Sequence, residues 1–119
     1  MSVSGLHLTL IGNGAMLLEP SRALDVANTG PVLEEIIRRL QRAHAQRLYY
    51  DLAELALIEP LYYNWLNALA RACHTINVKM VCIHMQPTAA YALARYMEQK
   101  PAFDTALEVE EWNKDREAQ

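Results

Sequence analysis

The sequence predicts an α/β fold: a mixed, mostly parallel sheet that opens with an N-terminal β-hairpin, in the order β-β-α-β-α-β-α-β, with helices packed on the sheet. Three observations predict it. Asn13-Gly14 stands between two strand-like runs, and Asn-Gly there is a strong hairpin signal because both residues tolerate positive φ. Beyond residue 30, helical runs alternate with short apolar runs, and strands joined through helices of about 12–16 residues demand right-handed crossovers and parallel pairing. Val78–Met85 carries apolar residues on both phases of the strand repeat, as an interior strand covered on both faces does.

Taken in order, Leu6, Leu8 and Leu10 alternate with His7 and Thr9, the period of a half-buried strand. Gly12-Asn13-Gly14 ends it and Ala15–Leu18 resumes the apolar run. These glycines lack the full spacing of a phosphate-binding loop, and no helix follows them. Residues 19–29, with Pro20, Ser21, Asp25 and Asn28, read as a loop with a helical turn near Ala23–Ala27. Pro31 suits a first helical turn, where its missing N–H costs nothing. Val32, Leu33, Ile36, Ile37 and Leu40 then form one apolar stripe on a helix ending near His44.

Leu48–Asp51 is the central strand, and a second helix runs from Pro60 to about Thr75. Its predicted buried face is Leu61, Trp65, Leu69, Ala72 and Ile76, with Asn64, Asn67, Arg71 and His74 mostly on the other; Asn77 stops it. Pro87 opens a third helix with a stripe of Ala89, Ala90, Leu93, Ala94 and Met97, ended by Lys100-Pro101. Thr105–Val109 forms an edge strand and Glu110–Gln119 a polar tail. No internal repeat, low-complexity run or linker interrupts residues 1–119, which read as one domain.

Composition narrows the function classes. At 119 residues with 52% hydrophobic and 21% charged, the chain is an ordinary globular sequence, long enough to bury roughly two-thirds of its unfolded surface. The net charge of -3 argues against nucleic acid, which wants a basic face. Arg38, Arg39 and Arg42 share a helix with Glu34 and Glu35 and read as a solvated face. No run approaches the ~20 apolar residues of a membrane span. The first ten residues have neither the basic n-region nor the apolar h-region of a secretory signal. Cys73 and Cys82 lie among apolar neighbours and read as reduced core thiols, which fits a cytoplasmic protein.

The candidate chemistry is thin. Cys82 and His84, two apart on a strand, share one face and form half of a metal site, but no spacing places the other ligands. Asp51, Glu54 and Glu59 put three carboxylates near one loop without the hydroxyl, amide or base that would complete an acid–base centre. No catalytic residue, metal site or cofactor is predicted. Aromatics, in contrast, concentrate at one corner: Tyr49, Tyr50, Tyr62, Tyr63 and Trp65. Neighbours on a helix are about 100° apart, so one of Tyr62 and Tyr63 is expected to be partly exposed beside Pro60, where an aromatic can anchor an interface.

Asp51–Leu66, DLAELALIEPLYYNWL, resembles the first strand-to-helix corner of the STAS domain of anti-sigma-factor antagonists, roughly D-L-s-x-v-x-x-I-D-S-x-x-x-x-x-L. Met80–Leu93, MVCIHMQPTAAYAL, is similar to the family's second corner in the form found in stressosome scaffold and antagonist proteins, v-G-I-x-P-x-x-A-x-x-L. With the opening hairpin, the likeness covers about residues 5–112 and leaves 113–119 as tail. The resemblance implies a non-enzymatic signal-transduction module that binds a Ser/Thr switch kinase, an anti-sigma-like protein or another STAS domain, alone or in a homo-oligomer. Phosphorylation of a Ser or Thr at the helix N-terminus breaks the kinase contact in that family, since a phosphate adds close to two negative charges to the interface.

This sequence departs from the pattern at that place. The family's Asp corresponds to Glu59 and its phosphorylatable Ser to Pro60; a second phosphoacceptor position falls on Ala92. No Ser or Thr occurs between Gly30 and His74. The glycine usual in the second corner is His84, and Gln86 precedes Pro87. The expected partner-binding residues are Glu59, Pro60, Leu61, Tyr62, Tyr63 and Asn64 at the first corner, with His84, Gln86 and Thr88 at the second. The alternatives are an anion or small-molecule sensor working at the helix N-termini of Pro60 and Pro87, or a homotypic scaffold subunit.

Overall fold

The structure, a computed structural model, describes residues 5–96 and 100–109. Strand β1 (Leu6–Gly12) turns through Asn13 and Gly14 into β2 (Ala15–Pro20). Asn13 at φ 54° and Gly14 at φ 75° give the paired left-handed conformation of a tight hairpin turn, as Asn-Gly predicts. The register shifts between Leu10 and Gly12, a bulge beside the turn. Helix α1 (Gly30–Arg42), β3 (Arg47–Asp51), α2 (Pro60–Thr75), β4 (Lys79–Ile83), α3 (Pro87–Tyr96) and β5 (Asp104–Ala106) follow.

The sheet order is β1-β2-β3-β4-β5, with β1 antiparallel to β2 and every other pair parallel. Neighbouring parallel strands in sequence order, joined by crossovers of one hand, send all the helices to one face. The burial pattern agrees. Leu8, Leu18, Leu48, Tyr50, Met80 and Cys82 point toward Ile36 and Leu40 of α1, Leu66 and Leu69 of α2, and Leu93 of α3 in one large core. Ala15, Tyr49, Val81 and Ile83, on the alternate phase, form a second cluster with Leu17, Ala106 and Val109. Strand β4 is therefore apolar on both phases because both of its faces are buried.

Several expectations are corrected. Residues 21–29 hold β-turns, closed by Leu24 N–H to Ser21 O at 3.2 Å and Asn28 N–H to Asp25 O at 3.3 Å, and no helical turn. The buried face of α2 is rotated: Leu66, Ala70, Cys73 and Asn67 are buried, while Leu61 is half exposed. Asn67 tolerates burial because its Oδ1 accepts the Ala102 N–H at 2.8 Å. On α3, Ala89 and Leu93 are buried but Ala90 and Ala94 are exposed. Strand β5 stops at Ala106, short of Val109. The predicted contact of Met97, the tail 110–119 and the last turn before Lys100 lie outside the described residues.

Candidate functional site: the carboxyl-edge corner

The parallel strands deliver two corners to one edge of the sheet. Residues 52–59 link β3 to α2, and residues 84–86 link β4 to α3. Asp51 ends β3 and closes the first loop on itself, its Oδ1 accepting the Ala53 N–H at 2.9 Å in an Asx turn. Ile58, 1% exposed, pins the loop to the core, while its neighbour Leu57 stays 58% exposed. Glu59 caps α2 in an extended conformation (φ -76°, ψ 160°) without a side-chain cap bond, and Pro60 fills the first helical position.

Three side chains of the second corner reach back to the first. Gln86 Nε2 donates to Ala53 O at 2.6 Å, Thr88 Oγ1 to Ala56 O at 2.5 Å, and His84 Nδ1 lies 3.0 Å from Asp51 Oδ1. His84 adopts φ 60°, the left-handed region where glycine is the unstrained residue. Its backbone N–H donates to Leu107 O at 3.3 Å, which ties the end of β5 to the same corner. Each such bond contributes about 1 kcal/mol net, against about 1.5–3 kcal/mol for each fully buried leucine. The core therefore holds the fold, and the clips set the shape of the loop.

The aromatic concentration resolves into two jobs. Tyr50 is fully buried and accepts the Trp65 indole N–H at 3.0 Å, while its hydroxyl and that of Tyr62 share a hydrogen bond of 2.6 Å. The Tyr50 and Tyr62 rings meet edge to face at 6.4 Å. Burial, with the neighbouring Tyr62 adding to it, pushes the Tyr50 hydroxyl well above its usual range; burial pushes Tyr62 up to about 12. Tyr63 sits edge-on to Phe103 at 6.1 Å. Both Tyr62 and Tyr63 are thus half buried and engaged, and the exposed apolar groups of the corner are Leu57 and Leu61, 58% and 50% exposed. Asn64 is exposed on α2 and Ala92 half buried on α3.

The half metal site does not form. Cys82 is buried inside β4, whereas His84 has left the strand and turned toward Asp51, so the two no longer share a face. Among the described residues, no three His, Cys, Asp or Glu side chains gather as metal ligands. Both cysteines are free and buried; burial raises the Cys73 thiol to about 12 and Cys82 further in the same direction. Sequence spacing missed the three clips and Asn67, whose partners lie 32 to 35 residues away along the chain.

No family model matches the sequence, and no curated protein does either. Solved structures do match. RsbS from Moorella thermoacetica, in a variant with one serine replaced by glutamate, superposes with a TM-score of 0.73 at 16% identity, over 97% of each chain. A chain of the stressosome gives 0.73 at 14% identity, over 94% of this chain and 96% of that one. The anti-sigma factor antagonist SpoIIAA, unphosphorylated, gives 0.60 at 12% identity, over 95% and 97%. The chain has a STAS-like fold, as its two corners and opening hairpin led one to expect. No helix of the described residues is long and apolar enough to cross a membrane.

Proposed function

We propose that this chain is a non-enzymatic regulatory module that binds a protein through its carboxyl-edge corner, without phosphorylation at position 60. The observation that carries the reading is the presentation of Leu57 and Leu61 beside Glu54 and Glu59 on a loop whose shape is fixed by Gln86 and Thr88. A preorganised loop loses little entropy on binding. Its exposed leucines supply apolar contact, and the segment between Arg47 and Arg71 carries Asp51, Glu54 and Glu59 with no Lys or Arg, so the fitting partner is apolar and basic. The likeness to an anti-sigma factor antagonist and to a stressosome chain supports a switch kinase, an anti-sigma-like protein or another STAS domain as that partner. Glu59, Pro60, Leu61, Tyr62, Tyr63 and Asn64 form the contact, with His84, Gln86 and Thr88 holding it in shape.

The anion-sensor alternative has weaker support. Glu59 stands at the N-terminus of α2, where a carboxylate repels an incoming anion, and Gln86 and Thr88 direct their polar groups to loop carbonyls.

The test is affinity capture from the source cells with wild type, Leu61→Asp and a control, Arg71→Glu, exposed near the far end of α2. A kinase-like or STAS-like protein retained by wild type and control, and lost tenfold or more with Leu61→Asp, supports the reading. Equal retention by a folded Leu61→Asp protein rejects it. Phosphopeptide mapping after exposure to the captured kinase would separately reject the phosphorylation-independent part if residues 59–64 were modified.

A further inference from the structure

The opposite edge of the sheet carries a surface complementary to the corner. A cavity of about 400 Å³ opens between the hairpin and α1, lined by Met16, Glu35, Arg38, Arg39, Arg42 and Ala43. The arginines expected to form a plain solvated face thus converge on a hollow. Arg38 pairs with Glu35 at 2.7 Å, and Arg39 donates to Leu8 O at 3.3 Å, which fixes the walls. Three guanidinium groups against one carboxylate leave the hollow positive. Leu10, 58% exposed, pairs in register with Met16 and lies on the same strand phase as Leu6 and Leu8, so it borders the hollow with apolar surface.

The corner and the hollow match in two respects. The corner is acidic and bears the exposed Leu57 and Leu61; the hollow is basic and bordered by Leu10. The hollow rests on α1 and the hairpin, and the corner on a loop braced by Gln86 and Thr88. They also lie too far apart to neutralise one another: the five residues of β3 separate the two edges by roughly 17 Å, twice the ~8 Å screening length at physiological salt. Each pole therefore presents its charge outward, and one chain carries both halves of a contact.

We infer that the corner of one copy docks into the arginine-lined cavity of a second copy, with Glu54 and Glu59 meeting Arg38 and Arg42, and Leu57 and Leu61 meeting Leu10 and Met16. This rests on the corner being a binding surface and names its partner. A contact between unlike surfaces is head-to-tail, so it continues into a ring or an open filament and does not stop at a symmetric dimer. Guanidinium–carboxylate pairs of this kind give orientation as well as attraction.

Sedimentation velocity on the purified chain tests it, from micromolar to millimolar concentration at low and high salt. Wild type should assemble with concentration and dissociate as salt is raised. Leu61→Asp and Arg42→Glu, both at exposed positions, should each remain monomeric with unchanged circular dichroism and melting temperature. Mixing the two variants is decisive: the intact corner of one meets the intact cavity of the other, and a terminated two-copy complex should form. A wild type that stays monomeric at millimolar concentration overturns the proposal while leaving capture of another protein by the corner untouched. An assembly broken by Leu61→Asp but not by Arg42→Glu also overturns it, in favour of corner-to-corner pairing. If the variants are monomeric alone and remain so when mixed, the head-to-tail contact is likewise excluded.

Discussion

The two edges of the sheet hold their loops in different ways. At the amino edge, α1 and α2 end on His44 (φ 53°) and Asn77 (φ 60°), and the next N–H in each case returns to the helix: Ala45 to Leu40 O at 2.9 Å and Val78 to Cys73 O at 2.9 Å. These are Schellman ends, local and made of backbone. At the carboxyl edge, side chains from one corner grip the backbone of another more than thirty residues away. A local cap fixes where a helix stops. A long-range clip fixes how two loops sit relative to each other, which is what a contact surface needs.

The largest expected effect lies beneath the carboxyl edge. Tyr50→Phe removes the acceptor of the Trp65 indole and the partner of Tyr62, leaving a buried N–H without its bond. A loss of about 2–3 kcal/mol in urea unfolding is expected, since an orphaned buried donor costs its full desolvation. A loss below half a kcal/mol would mean that the trio packs without depending on its hydrogen bonds.

Alkaline pH gives a slightly smaller effect with a definite sign. The Tyr62 hydroxyl titrates near 10.0 when exposed and at about 12 in the folded chain, so the folded state holds its proton longer. Its stabilisation is complete below pH 10 and is lost as pH rises toward 12, by about 2 kcal/mol. Tyr50 and the two buried thiols act in the same direction. Tyr62→Phe should flatten the fall between pH 10 and 12; an unchanged slope would place the titration elsewhere.

The clips come next. Gln86→Ala or Thr88→Val should lower the free energy of local opening of the first corner by about 1 kcal/mol each, so hydrogen exchange should quicken across residues 52–58 while the amino-edge loops stay protected. If protection changed equally at both edges, the clips would be part of the global fold and not a local brace.

Legibility in the sequence follows the same division between local and distant. The hairpin turn, the helix starts at Pro60 and Pro87 and the stop at Asn77 each depend on neighbouring residues, and each was readable from them. The helical turn expected at 23–27 failed because Ser21 and Asp25 side chains bond the backbone two residues on and favour turns over helix. The face of α2 was misjudged because Asn67 finds its partner in Ala102, thirty-five residues away, and no periodicity announces such a bond. The corner was legible as a pattern; the side chains that brace it, and the arginine hollow opposite, needed the topology that brings α1 beside the hairpin.

The smallest predicted effect separates the two edges most sharply. His44, Asn77 and His84 all occupy left-handed backbone, where a side chain costs about 1–2 kcal/mol that glycine avoids, Asn less than His. Glycine repays part of this through a freer unfolded chain, so His44→Gly should gain about 0.5 kcal/mol and Asn77→Gly still less. His84→Gly relieves the same strain but deletes the bond to Asp51 Oδ1, a bond worth about 1 kcal/mol. It should therefore gain nothing or lose slightly. Thermal unfolding of the three variants ranks them directly: His44→Gly highest and His84→Gly lowest. A gain at His84 equal to that at His44 would mean the imidazole holds no loop, and the clip at that end of the corner would reduce to Gln86 and Thr88 alone.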